Sequence, residues 1–387
     1  MGMKDALDRL VAARGDGDSE RFRHRSVAEQ LRRWVISGQF VGGTKLPALR
    51  EIASQLKVST TTVRRALRTL ANEGHVHQIS RLGAFVGGPQ RRGRVARMVA
   101  FAAGDLSYAL DMGIAHGIQA ACNERGLDLQ IFDAHVDPDR ELRNFQCLSE
   151  GGLRGAIILP IGSPDSVDLL FRLHVTGFPL VLVDRPVPGL TADLVQSDHE
   201  KGAYIATRYL IGKEHRRILA LVPPARLVSP ILARIHGYER ALSEAGIHPA
   251  PEWKIAVDPT TVNNDLRMQG YFAILPVLKQ VELPIAIFAL RDYLGWGVYR
   301  ACQELGLRIP QDVSVLGFDD SDVSRAMLPP MTVVAQRNER IGQQALNLLE
   351  QHFDNGVQDG SDRVFSHVLI DLDLIERESV ADLRART

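Results

Sequence analysis

Two sets of polar side chains in this chain of 387 residues have the types and spacing of recognition chemistry. In the first, Ser59, Thr60, Thr61 and Thr62 are followed by Arg64, Arg65 and Arg68, while Val63, Leu67 and Leu70 recur at helical spacing on the opposite side. Short Thr side chains let a helix come close to a duplex groove, and guanidinium groups either pair with guanine edges or clamp phosphate. The second set is dispersed: Tyr108, Asp184 and Asp292 each follow an apolar run, and Arg234 opens a helical stretch just before Gly237-Tyr238. A guanidinium fork donates in pairs, a carboxylate accepts in pairs and an aromatic ring covers an apolar sugar face, so this set suits vicinal hydroxyls. Each member also has a structural role open to it. Asp292 can cap a helix beginning near Leu294, Asp184 can pair with Arg185, Arg234 can be a surface helix residue and Tyr108 can pack on a loop.

The first set must be held by a small helical unit. Pro47 precedes an amphipathic stretch with Leu49, Ile52, Ala53 and Leu56 on one face and Arg50 on the other. Lys57-Val58 makes a tight connection, Ser59 can accept from the free N–H groups of the next helix, and Gly74 closes that helix. His75 to Ile79 and Ala84 to Val86 then alternate as two short strands about Ser80-Arg81-Leu82-Gly83. The unit is a winged helix-turn-helix, with residues 24–37 as its first helix.

The formal net charge of zero conceals a division of the chain. Residues 21–97 hold 16 basic and 3 acidic side chains, so the remainder holds 30 and 43 and the two parts carry +13 and −13. The basic part seeks polyanions. No run of eighteen apolar residues occurs, and the first twenty residues carry acids where a signal peptide needs a basic end and an apolar core, which predicts a cytoplasmic protein with no membrane partner. Cys122, Cys147 and Cys302 are far apart and read as reduced core thiols. His75 and His77 form an H-x-H pair with no further ligands nearby, so no metal is expected. The glycines of residues 87–94 match neither dinucleotide nor P-loop spacing.

From Val95 the pattern changes to short apolar strands alternating with helices, which predicts parallel sheets wound by right-handed crossovers. Strand candidates are Met98–Ala102, Leu127–Phe132, Ala156–Leu159, Leu180–Val183, Ile218–Val222, Ile255–Val257, Ile285–Ala289 and Val313–Gly317. Their number asks for two α/β lobes with a small α+β head. Ligands of such lobes bind beyond the carboxyl ends of the strands. The expected division is a flexible extension (1–22), the winged head (23–87), a linker (88–94), an effector domain (95–379) and a tail (380–387). Within the effector domain, lobe 1 is expected over 95–186 and 311–336 and lobe 2 over 187–310 and 337–379.

The stretch LPALREIASQLKVSTTTVRRALRTLANEGHVHQISRLGAFV resembles the GntR family of bacterial winged-helix regulators, without gaps. The resemblance implies that Arg50, Ser59, Thr60, Thr61, Thr62, Arg64, Arg81 and Gly83 meet an operator; Thr60 stands where the family has Arg, Arg65 where it has Glu and Arg81 where it has the first wing glycine. Downstream, RIHGYERAL, FALRDYLGWGVYRACQELGLRIPQDVSVLGFDDSDVSRAMLPPMTVVAQ and HVLIDLDLIERES resemble the effector domain of the LacI family, itself similar to periplasmic sugar-binding proteins of type I. It implies an effector site of Arg234 and Asp292 from one lobe and Tyr108 and Asp184 from the other, with Asp265 where the family often places a stacking aromatic and Arg291 where it has Asn. The implied function is a transcription regulator, most simply a repressor, of the hybrid arabinose-repressor type. It would act as a homodimer through the effector domain on a near-palindromic operator, with a saccharide as effector, a purine or amino-acid-like ligand being the other options, and with no cofactor. The alternative class is a GntR-headed enzyme or pyridoxal-phosphate-binding regulator, for which no candidate Schiff-base lysine precedes a cofactor strand.

Overall fold

The computed structural model describes residues 27–29, 31–32, 45–72, 76–79, 83–86, 97–149, 152–223, 228–258, 260, 262, 265–353 and 365–386. The predicted extension, most of the first helix of the head, the Gly74 cap, the wing tip at Arg81 and the linker lie outside them.

In the head, helix α1 (Leu49–Gln55) and helix α2 (Thr60–Asn72) are joined by a turn in which Lys57 has a φ of 48°. Glu51 reaches back to accept from Ala48 N at 3.0 Å, and Ser59 Oγ accepts from Thr62 N at 3.1 Å, so each helix start gains an acceptor its first turn lacks. Ile52 and Ala53 of α1 and Leu56 just after it meet Val63, Ala66, Leu67 and Leu70 of α2 in one core, which Val27, Ala28, Leu31, Val76 and Val86 complete. Strands β1 (Val76–Ile79) and β2 (Gly83–Val86) pair antiparallel, with Val76 opposite Val86, and Lys45 bridges to Phe85.

The rest of the described chain forms two α/β lobes, as the strand and helix pattern predicts. Strands β3 (Met98–Ala103), β4 (Asp128–Asp133), β5 (Leu153–Ile158), β6 (Leu180–Val183) and β7 (Asp193–Ser197), with helices α3 (Ala109–Arg125), α4 (Pro138–Ser149) and α5 (Pro164–Val175), build lobe 1. Lobe 2 follows as α6 (His199–Gly212), β8 (Ile218–Val222), α7 (Val228–Glu244), β9 (Lys254–Ala256), α8 (Leu266–Leu278), β10 (Ile285–Ala289), α9 (Asp292–Leu305), β11 (Val313–Asp319), α10 (Asp322–Ala326) and β12 (Thr332–Ala335). Helix α11 (Asn338–Glu350) and β13 (His367–Ile370) return to lobe 1, and β14 (Asp373–Ile375) ends in lobe 2. The sheets run β13-β7-β6-β5-β3-β4 and β14-β12-β11-β10-β8-β9, parallel throughout except where β14 pairs antiparallel with β12. Strands β8 and β10 are buried along their whole length, which is why their sequences are continuous apolar runs. No helix among the described residues is long and apolar enough to cross a membrane.

The lobe boundaries differ from the expected ones. Residues 313–319 and 332–335 belong to lobe 2, because β11 pairs in parallel with β10, with Val313 beside Ile285, and β12 pairs with β11. Residues 193–197, 338–350 and 367–370 belong to lobe 1, since β7 pairs with β6, β13 with β7, and α11 lies against α3. The chain therefore passes between lobes after β7, after β12 and after β13. The short strands β7, β12, β13 and β14 are absent from the sequence-based set. Two further corrections concern single residues: Arg234 lies in the interior of α7 and not at its start, and Cys147 is exposed while Cys122 and Cys302 are buried.

Candidate functional site

On α2, Thr60, Thr61, Arg64, Arg65 and Arg68 are exposed, while Val63, Ala66, Leu67 and Leu70 are fully buried. None of the three arginines pairs with a carboxylate among the described residues. Thr62 is spent differently, since its hydroxyl lies 2.8 Å from Ser59 Oγ and both hydroxyls serve the helix start. Arg50 is exposed on α1, and Gly83 opens β2 opposite Ile79. This leaves one helix face rich in small hydroxyls and uncompensated positive charge, the combination that suits a major groove lined by phosphates.

At the carboxyl ends of the two sheets the same residue types are arranged in the opposite way, buried and paired. Asp184 follows β6 with a φ of 66°, its N–H bonded to Val195 O, and its Oδ2 accepts from Arg185 Nε and Nη2 at 2.9 and 2.7 Å. Its Oδ1 lies 3.6 Å from Nε2 of His199, at the first turn of α6. His199 Nδ1 faces Arg234 Nε at 3.4 Å; a guanidinium only donates, so the imidazole accepts there and carries its proton on Nε2, toward Asp184. Arg234 Nη2 donates to Asp319 Oδ1 at 3.0 Å, Nη1 donates to Leu290 O, and the guanidinium lies 3.7 Å over the Phe318 ring. Asp319 Oδ1 also accepts from Gln336 Nε2 at 2.7 Å, and Gln336 Oε1 accepts from Ser197 Oγ at 2.7 Å. A chain of buried polar contacts thus leaves lobe 1 at Asp184, crosses α6, α7 and β11, and returns to lobe 1 at Ser197.

Local packing places these groups. A Cβ on Gly237 would lie 2.1 Å from Glu200 O, so only glycine three residues after Arg234 lets α7 approach α6 closely enough for Arg234 to meet His199. Burial pushes His199 below its ordinary range, which leaves the ring neutral. Burial alone would raise Asp184 and Asp319, but the charge of Arg185 and the His199 contact hold the first below the usual carboxylate range, and Arg234 and Arg291 do the same for the second.

Of the predicted effector residues, Tyr108, Asp184, Arg234 and Asp292 gather around this chain of contacts. Tyr108 takes the N-cap position of α3; its ring packs edge-on against Tyr293, with centroids 6.0 Å apart, and the Arg291 guanidinium lies 5.1 Å from it. Asp292 is the first residue of α9 and is fully buried; its Oδ2 accepts from Ser321 N at 2.6 Å while its Oδ1 has no partner. Burial and the nearby Asp319 carboxylate push it up to about 7. Asp265 instead caps α8, accepting from Arg267 N at 3.0 Å, and pairs with the Arg267 guanidinium.

Asp319, His199, Gln336 and Asp111 join the site without having been marked by the sequence pattern. Asp319 was accessible to the rule used for the others, since it ends a strand, but the β11 candidate stopped two residues short of it. Asp111, on α3, is buried, accepts from the N–H groups of Gly104 and Asp105 at 2.9 Å each, and is pushed by burial up to about 6. Among the described residues Asp105, Asp133 and His135 bring possible metal-ligand atoms within 4.8 Å of one another. His135 turns a different ring nitrogen to each carboxylate, Nδ1 at 3.8 Å from Asp105 and Nε2 at 3.4 Å from Asp133, so the imidazole lies between the two carboxylates.

Comparison with known proteins agrees with both halves. A family model for a periplasmic binding protein-like domain matches residues 207–380, and one for bacterial regulatory proteins of the gntR family matches residues 23–86. The chain is 30% identical over 276 residues to the HTH-type transcriptional repressor PurR of Haemophilus influenzae, covering 70% of this chain and 77% of that one. A LacI-family transcriptional regulator from Sanguibacter keddieii superposes with a TM-score of 0.62 at 26% identity, over 74% of this chain and 99% of that. The regulator CelR, solved in complex with cellobiose, superposes with a TM-score of 0.64 at 25% identity, over 86% of this chain and 100% of that. These proteins are regulators of transcription and not enzymes.

Proposed function

Since the chain belongs to the LacI-type transcriptional repressors and carries a GntR-family head, we propose that it represses genes from a near-palindromic operator and releases it when a saccharide closes its two lobes. The observation that carries this reading is the run of charged side chains from both lobes at the carboxyl ends of both sheets, the place where ligands of open α/β sheets bind. A ligand shifts a two-state protein only by its differential affinity for the states, and groups drawn from both lobes supply that difference because they come together in one state alone. Arg234, Asp319 and Asp184 hold the two lobes' polar groups in place at that end, Tyr108 and Tyr293 offer ring faces, and the structural neighbour CelR is described with cellobiose. The operator readers we assign are Thr60, Thr61 and Arg64 on α2, together with Arg50, Arg81 and Gly83, while Ser59 and Thr62 fix the helix start.

One wing-and-helix unit spans few base pairs, so the working species is a homodimer, paired through the effector domain and residing in the cytoplasm. A thermal-shift screen of the full chain over pentoses, hexoses, their acids and nucleobases tests the reading, because a bound ligand raises stability with the logarithm of its concentration. A sugar or sugar derivative that raises the melting temperature and weakens operator binding supports it. A response to nucleobases alone replaces the saccharide, and a monomer in sedimentation removes the dimer.

A further inference from the structure

Two guanidinium groups stand at the edge of the interlobe contacts with donors to spare. Arg185, just beyond β6 of lobe 1, gives Nε and Nη2 to Asp184, and its Nη1 has no partner among the described residues. Arg291, just before α9 of lobe 2, faces Asp319 Oδ2 through Nε at 3.4 Å, reaches across to the ring of Tyr108, and has Nη1 and Nη2 without partners among the described residues. Exposure separates the positive from the negative members of these pairs: the Arg185 and Arg291 side chains are 22% and 26% exposed, those of Asp184 and Asp319 only 3% and 9%.

The carboxylates are therefore screened and already occupied, Asp184 by Arg185, and Asp319 by Arg234 and Gln336. Of the other nearby carboxylates, Asp111 is buried on two backbone N–H groups, the unpartnered Oδ1 of Asp292 is fully enclosed, Asp105 is 15% exposed beside His135, and Asp265, 33% exposed, is held by the Arg267 guanidinium. The charged groups with unpaired donors that a ligand entering between the lobes meets beside the tyrosine rings are these two guanidinium groups. A neutral polyol needs accessible acceptors for its hydroxyl protons, whereas a carboxylate or phosphate is all acceptor and matches the guanidinium fork in pairs.

Resting on the effector reading above, we propose that the effector is anionic, a polyol bearing a carboxylate or phosphate that is clamped between Arg185 of lobe 1 and Arg291 of lobe 2. The clamp joins the lobes through the ligand's charge, so the charged group and not the ring is what closes them.

The test is calorimetry on the full chain with matched sets of D-glucose, D-galactose and D-ribose, each as the neutral sugar, the aldonate and the phosphate ester, with inorganic phosphate as a bare-anion probe. In the set that binds, one charged member binds at least about 30-fold more tightly than the neutral sugar, as a charged hydrogen-bonded pair supplies. Arg291→Gln and Arg185→Gln each cut that preference about tenfold or more, while Arg291→Lys retains part of it. The two variants lie on different lobes, so a folding defect in one leaves the other to report. A neutral sugar binding as tightly as its acid and phosphate, or a preference that survives both variants, overturns the clamp and leaves the effector reading standing. Binding of inorganic phosphate equal to that of every sugar derivative overturns the polyol part. No response to any member of any set overturns the clamp and the saccharide reading together.

Discussion

The arginines of α2 and the arginine of α7 are the same residue under opposite constraints. Arg64, Arg65 and Arg68 are exposed with no paired carboxylate among the described residues, whereas Arg234 is enclosed by His199, Leu290 O, Asp319 and the face of Phe318. An exposed uncompensated charge costs the fold almost nothing and is available to a polyanion at long range. A buried charge has lost its hydration and survives only if its donors are all placed, so it fixes the geometry of whatever surrounds it. The head thus uses charge for attraction and the effector domain uses it for position. Substitutions should divide accordingly, stability responding in one region and DNA affinity in the other.

The largest effect is expected at Arg234. Arg234→Ala leaves Asp319 and His199 facing a void and should cost about 3–5 kcal/mol of unfolding free energy by chemical denaturation, the usual consequence of removing one partner of a buried ion pair. Arg64→Ala in the same assay should change stability by less than about 0.5 kcal/mol. Equal effects would erase the distinction.

Asp292 sharpens the comparison through pH. Its carboxyl is raised in the folded protein to about 7 from an ordinary 3.8, so its favourable contribution is complete below about pH 4 and is lost as pH rises through 7. Asp292→Asn keeps an acceptor for Ser321 N and removes the charge. It should therefore be more stable than the wild type by roughly 2–4 kcal/mol at pH 8 and no more stable at pH 4, measured as paired denaturation curves. A gap that does not change with pH would mean that the carboxylate is not held under electrostatic strain.

A smaller effect belongs to the head. Arg64→Ala should weaken operator binding by about 1–3 kcal/mol and random duplex by less, if it reads a base edge. Loss of equal size on both duplexes would assign Arg64 to phosphate.

The head was readable because its signals are local. The Val63, Leu67 and Leu70 stripe, the hydroxyl at Ser59 and the alternation in the wing are all settled within a few residues, and the fold follows them. The two α/β lobes were readable for the same reason, since strands such as β8 and β10 are buried on both faces and need uninterrupted apolar runs. What the sequence concealed depends on partners far along the chain. The placement of β11 in lobe 2 is fixed by its register against β10, and β7, with the sequence DLVQS, has too little apolar character to declare itself. In the site, Tyr108, Asp184 and Arg234 could be named from their positions after strands or in a motif. The roles of Asp319, His199 and Gln336 emerge only when α6, α7 and β11 are brought together by the close approach at Gly237.

If the proposed function holds, the buried contacts between the lobes connect a bound effector to the DNA-binding head. The most direct measurement is operator anisotropy at one fixed salt concentration, with and without a saturating ligand from the screen, for the wild type and for folded Arg234→Lys, which keeps the charge but lacks the fork that bridges His199 and Asp319. Ligand should weaken wild-type operator binding by about tenfold or more, a coupling of at least about 1.4 kcal/mol, and the variant should bind operator without ligand as the wild type does but lose most of the response. A variant that responds to ligand as fully as the wild type, or a wild type whose operator affinity ignores the ligand it binds, would contradict that connection.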